Sequence, residues 1–184
     1  ARHEQSGFSS AFRKKISDRC FPDMDRVDLM KQIWKTIVPK LEVLSPDWTV
    51  FLKDTLISLY HTCPEETSYM ELLLDFQDTF PEWQVQKEQL LVYWLYTYFC
   101  GAVYDEKIFA KGKMAVICTL FIEELVLGLY ARKREKPEPG ELVSVCYRFS
   151  RELEHSDQNL NMLEELLDQE EVFSLEHLMT LCSI

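Results

Sequence analysis

Apolar residues recur at intervals of three and four along most of this chain, the spacing of one face of an α-helix. Leu29, Met30, Ile33, Trp34, Ile37, Val38 and Leu41 form one stripe, opened near Pro22-Asp23 and ended or kinked by Pro39. Ser45-Pro46-Asp47 reads as a helix start, with a capping hydroxyl, a proline suited to the first turn and an acid suited to the positive helix end. Trp48, Phe51, Leu52, Thr55, Leu56 and Leu59 follow at helical spacing. Pro64-Glu65-Glu66 repeats the start signal before Tyr69, Leu72, Leu73, Phe76 and Phe80.

A long helix is predicted from Pro81 through Tyr104, and its Leu90–Cys100 half is apolar on every side. The next, about Glu106–Arg134, is apolar nearly all round from Met114 to Tyr130. Such helices belong at a bundle's centre, and these two are expected to pack antiparallel there. Lys136-Pro-Glu-Pro-Gly140 is a loop, after which helices are expected over Glu141–His155, from Ser156 or Asp157 to Gln169, and from Ser174 to Cys182. Strand alternation and Asn-Gly or Asp-Gly hairpin turns are absent. The expectation is all-α: a single-domain bundle of seven or eight helices over residues 23–184, with two central apolar helices, preceded by a basic stub or partial helix over residues 1–22.

Net charge refines the picture. The chain has 20 Lys+Arg against 31 Asp+Glu, a net of −11. An acidic surface repels phosphate backbones and anionic membranes, so neither nucleic acid nor membrane is an expected partner. The two longest apolar runs are too short, or too interrupted by Glu123-Glu124, to read as spans. Six cysteines, none within four residues of another, offer no metal knuckle, so no metal site is expected. Cys100, Cys118 and Cys146 lie in apolar helical patterns and read as small buried hydrophobes. Free thiols point to the cytoplasm. The start has no signal-peptide core, and its first residue is Ala rather than Met, as in a trimmed or partial chain.

Two constellations carry candidate chemistry. Glu123 and Glu124 stand inside an apolar helix, where a carboxylate needs a partner or its pKa rises. They read as a metal ligand, a general base or a clamp for a cationic substrate; the alternative is a cation from another helix, or simple exposure. The helix from Glu141 gathers Ser144, Arg148, Arg151, Glu152 and His155 on one side. That side reads as a basic spot for a carboxylate or phosphate, or as a solvated face with an Arg148–Glu152 pair. Tyr93, Trp94, Tyr96, Tyr98 and Phe99 read as core, with an aromatic-lined pocket between helices as the alternative. No Gly-rich turn follows a strand, so no Rossmann-type site for S-adenosylmethionine or a dinucleotide is visible.

Three segments carry a likeness. They are Glu88-Gln-Leu-Leu-Val-Tyr-Trp-Leu-Tyr-Thr-Tyr-Phe99, Ala102-Val-Tyr-Asp-Glu106 with Lys111-Gly-Lys-Met-Ala-Val116, and Tyr147 to Asn159 with its Ser-Arg-Glu-Leu-Glu-His-Ser-Asp core. Together with Phe173-Ser-Leu-Glu-His-Leu178 they resemble the C-terminal helical region of the flagellin lysine-N-methylase family. That family's N-terminal part carries clustered cysteines suited to an iron–sulfur or metal centre, and nothing here matches it. The resemblance implies a bacterial cytoplasmic protein tied to lysine ε-amino methylation, with catalysis by this chain alone not expected. It implies S-adenosylmethionine as the donor, though with no cofactor assigned to this chain, and a flagellin-like substrate or the cysteine-rich domain as partner. It also implies a functional or inter-domain surface at Arg148, Arg151, Glu152, His155 and Asn159. A partner-docking or small-ligand-binding helical domain without enzymatic activity is the competing reading.

Overall fold

Residues 25–182 are described by the computed structural model of the chain. Cys20, the helix start at Pro22-Asp23 and the expected N-terminal stub lie outside these residues. Asp25 begins the first helix: its carboxylate accepts from the Asp28 amide at 2.9 Å, satisfying an otherwise orphaned N–H. Helix α1 spans Arg26–Ile37 and gives way to a 3-10 turn at Val38–Lys40, where Pro39 removes a donor. Helices α2 (Pro46–Thr62) and α3 (Glu66–Thr79) follow, each opening within a residue or two of its proline signal.

Helix α4 runs Trp83–Tyr98. A 3-10 turn at Phe99–Gly101 and the single-turn α5 (Ala102–Asp105) replace the expected continuation to Tyr104. Glu106 then adopts the left-handed conformation, φ 62°, and reverses the chain. The long helix α6 (Ile108–Lys133) therefore runs back along α4, so that Trp83 meets Glu123 and Phe99 lies beside Gly112. Helix α7 (Pro139–Leu153) starts two residues before its expected position, on a reciprocal cap between Glu138 and Glu141. Ser156 accepts from the Asn159 amide at 3.1 Å and opens α8 (Asp157–Gln169). Helix α9 (Leu175–Cys182) closes the described chain. The all-α expectation holds, and no strand occurs among the described residues.

Helix α6 is the hub. It touches α2, α3, α4, α7 and α8, and from Met114 to Ala131 almost every side chain is buried. By length and apolarity it is the one helix among the described residues that meets the requirement for crossing a membrane, and it lies within the protein. Close contact with α2 depends on Gly128: a Cβ there would come within 2.8 Å of the Thr55 carbonyl oxygen.

Helix α4 packs antiparallel on α6 as expected, yet it lies at the surface. Only Trp83 and Trp94 of α4 are buried. Val92, Tyr93, Leu95 and Tyr96 are exposed, Tyr96 at 82%, and so are Phe99 and Cys100 just beyond. The core reading of these aromatics is thus corrected except at Trp94, with Tyr98 half-buried. One contact face against α6 covers one face of α4, however apolar the others are.

Candidate functional site

The two adjacent carboxylates of α6 are both buried, and they point to different partners. Glu123 receives the Arg26 guanidinium at 3.2 Å, the Lys87 ammonium at 2.8 Å and the Trp83 indole N–H at 3.2 Å. Glu124 accepts from the Tyr60 hydroxyl at 2.7 Å and from the Tyr69 hydroxyl. Arg26 joins the halves, donating to the Tyr69 oxygen at 3.2 Å and to the Leu181 carbonyl. Five helices, α1, α2, α3, α4 and α6, thus converge on two acids, with α9 tied in through the Leu181 carbonyl.

Burial pushes the Glu124 carboxyl above its ordinary value, although Arg26 and the two phenols oppose this. Burial also raises Tyr60 and Tyr69, helped by the Glu124 charge, so both stay protonated donors. Burial would loosen the Arg26 proton, but Tyr69, Glu123 and Glu124 outweigh it and hold the guanidinium charged. Cations from other helices therefore meet the demand of Glu123, and phenols that of Glu124, without a metal. A cleft of about 440 Å3 borders this network and is lined by Arg26, Lys87 and Glu123. Lys87, at 30% exposure, is the more accessible of the two cations in it.

The residues gathered by α7 and α8 split into two groups. Glu152 and Asn159 face inward. Glu152 accepts from the Leu44 amide at 2.8 Å. Asn159 accepts from the Glu42 amide at 2.7 Å and donates to the Glu42 and Glu152 carbonyls at 2.9 and 2.7 Å. Together they fasten the α1–α2 connection to the α7–α8 corner. Arg148, Arg151 and His155 stay at the surface. The expected Arg148–Glu152 pair does not form among the described residues: Arg148 donates to Ser144 at 3.3 Å and lies over the Phe51 ring at 5.2 Å. Arg148 and Arg151 line a cleft of about 270 Å3 beside Ser45 and Asp47.

A larger cleft, about 690 Å3, lies between α4 and α7. Trp94 forms part of its wall, with Tyr93 and Val85 on the α4 side and Val143 and Tyr147 on the α7 side. The last four are 47 to 68% exposed. A pocket between helices, the alternative reading of the α4 aromatics, is met for Tyr93 and Trp94 alone, since Tyr96, Tyr98 and Phe99 are not in its lining.

Sequence reasoning missed Arg26, Lys87, Tyr60 and Tyr69 as partners of the acids. One signal existed: Arg26 falls on the buried stripe of α1, four residues before Met30, where a cation requires an acid across the interface. Among the described residues no cluster of His, Cys, Asp and Glu could hold a metal.

Comparison with known proteins gives one result. Residues 2–181 match the family model described as FliB lysine N-methylase C-terminal domain. No curated protein and no solved structure matches the chain.

Proposed function

This chain belongs to the FliB lysine N-methylase C-terminal domain family, and from that premise we propose that it is the protein-docking helical module of a lysine ε-amino methylating protein, inactive in methyl transfer by itself. The α4–α7 cleft carries the reading. It is open rather than enclosed, and exposed apolar side chains stand on both banks, as on surfaces that receive another protein. An enclosed cavity would instead favour a small-ligand sensor. The partner is a flagellin-like substrate or a cysteine-rich domain, and the compartment is the cytoplasm. Arg148 and Arg151 line the neighbouring cleft, which shares Tyr147 with it and is able to hold an acidic group, and His155 is exposed just beyond the end of α7.

S-adenosylmethionine is the methyl donor implied by the family. The residues present do not fit it. Its amino-acid end needs a cation for the carboxylate, and the α4–α7 cleft has no Lys, Arg or His in its lining. The cleft beside Arg148 and Arg151 has the cations, but at about 270 Å3 it falls below the roughly 300–1,000 Å3 of ligand pockets. The cleft of about 440 Å3 has Arg26 and Lys87, but both already pair with Glu123, and Glu88 adds a further acid to its lining. No step is therefore routed through the donor here.

Titration calorimetry tests the proposal in two parts. With S-adenosylmethionine the purified chain should give no saturable heat; saturable binding would place the donor site in this module and overturn the division of labour. With a flagellin-type protein it should bind saturably, more weakly after Val143→Glu. No binding of either a flagellin-type protein or the family's cysteine-rich domain would remove the docking role.

A further inference from the structure

The α4–α7 cleft has a chemistry that apolar docking alone does not use. Glu154 lies at one end, half-buried, at the C-cap of α7. A carboxylate there faces the negative end of the helix dipole, an unfavourable place for an anion. Two hydroxyls compensate in part: Tyr93 and Tyr98 donate to the same oxygen, Oε2, at 2.6 and 3.0 Å. The hydrogen bond to Glu154, with burial, pushes the Tyr93 phenol up to about 12, so it remains a donor. No Lys, Arg or His among the described residues pairs with Glu154. Nearby, the Tyr93 ring is 47% exposed and offers an aromatic surface, while Trp94 beneath it is buried and stacked on Tyr98. Tyr147, also exposed, adds a second ring from the opposite bank. The Trp94 indole nitrogen is buried and without a hydrogen-bond partner.

These features select an occupant. An anion is repelled by Glu154. A sugar or other hydroxyl-rich ligand finds almost wholly apolar walls. A neutral apolar segment leaves the carboxylate with only the partial compensation of two phenols. A monocation on an aliphatic stem satisfies all three. The stem lies on Leu90 and Leu142, and the charge meets ring faces and the carboxylate. Methyl groups on the nitrogen weaken its hydration, which lowers the cost of bringing it against apolar walls while the ring attraction persists.

We propose that the α4–α7 cleft binds the Nε-methylated lysine side chain of a protein, with the ammonium seated between Tyr93 and Tyr147 beside Glu154. The choice of a protein-borne lysine rests on the functional reading above; the cation selectivity rests on the cleft. The module would then hold the product of the family's reaction, retaining a protein already modified.

Nuclear magnetic resonance titration of the full chain tests this with three small probes. They are Nα-acetyl-trimethyllysine amide, its unmethylated form, and the uncharged tert-butyl isostere in which carbon replaces the charged nitrogen. The trimethyl probe should shift the Trp94 indole N–H saturably, and the isostere should bind about tenfold more weakly, the scale of a partly desolvated cation–aromatic contact. The unmethylated probe should fall between them. Glu154→Gln and the surface change Tyr147→Ala should each weaken the trimethyl probe by about threefold or more. Equal binding of the isostere, no saturable shift, or unchanged affinity in a folded Tyr147→Ala variant would overturn the site. If these probes fail while a flagellin-type protein or the family's cysteine-rich domain still binds, the inference falls and the docking role stands; if all fail, both fall.

Discussion

Arg26→Met is the most informative single perturbation of the fold. The Arg26 side chain is 5% exposed and holds Glu123 at 3.2 Å, the Tyr69 oxygen at 3.2 Å and the Leu181 carbonyl. Methionine fills similar volume and can do none of this. Removing one partner of a buried ion pair costs about 3–5 kcal/mol, because the other charge is left uncompensated. Glu123 keeps Lys87 at 2.8 Å and the Trp83 indole, so the lower end applies, about 3 kcal/mol. For a domain of this size that lowers Tm by about 6–12 °C. Guanidinium unfolding followed by tryptophan fluorescence and circular dichroism reads it directly. Arg26 also opposes the upward shift of Glu124, so the loss should be larger at pH 8 than at pH 5. A variant within about 1 kcal/mol of the parent at both pH values would refute the claim that this network holds α1 against α6. The double variant Arg26→Met with Glu123→Leu should recover part of the loss, since replacing both members of a buried pair is often near neutral.

Other consequences follow from single contacts. Glu124 titrates above its ordinary 4.5 because it is buried. The folded chain therefore holds that proton more tightly than the unfolded one, and the stability this contributes is complete below about pH 4.5 and lost as pH rises through the raised value. Glu124→Gln removes this dependence, so variant stability relative to parent should improve from pH 4.5 to pH 8 in urea melts; a flat difference would contradict it. Gly128→Ala puts a methyl 2.5 Å from the Thr55 side chain and 2.8 Å from its carbonyl oxygen, and should cost about 1–3 kcal/mol by overpacking. Gly112→Ala meets only Phe99 at 3.9 Å and should stabilise by about 0.5–1 kcal/mol through helix propensity. Opposite signs in the two melts are required. Asn159→Ala removes both bonds to Glu42 and should abolish hydrogen-exchange protection of the Glu42 amide, while the Leu44 amide, held by Glu152, exchanges less changed. Equal exchange at Glu42 before and after would show that Asn159 is not the fastener.

Local rules along the chain determined much of this protein. Proline and serine signals placed the starts of α2, α3 and α8, and period-three-to-four stripes named the buried faces of α1 and α3 almost residue for residue. Those rules work because backbone capping and side-chain spacing act within one or two helical turns. The family, too, was legible, since the segments around residues 88–116 and 147–159 carry its pattern. Tertiary structure alone decided the rest. The Leu90–Cys100 stretch and the Met114–Tyr130 part of α6 are both apolar nearly all round, yet only the second is enclosed, because the number of neighbours a helix acquires is a property of the whole packing. Glu123 and Glu124 read alike in sequence, but the turn of about 100° between adjacent helix positions gave one acid two cations and the other two phenols. Arg148 and Glu152 share a spacing that suits an ion pair, and Glu152 instead turned to an amide of a loop more than 100 residues away. The cleft beside Glu154 exists only because α4 and α7 both settle against α6, an arrangement that no local periodicity encodes.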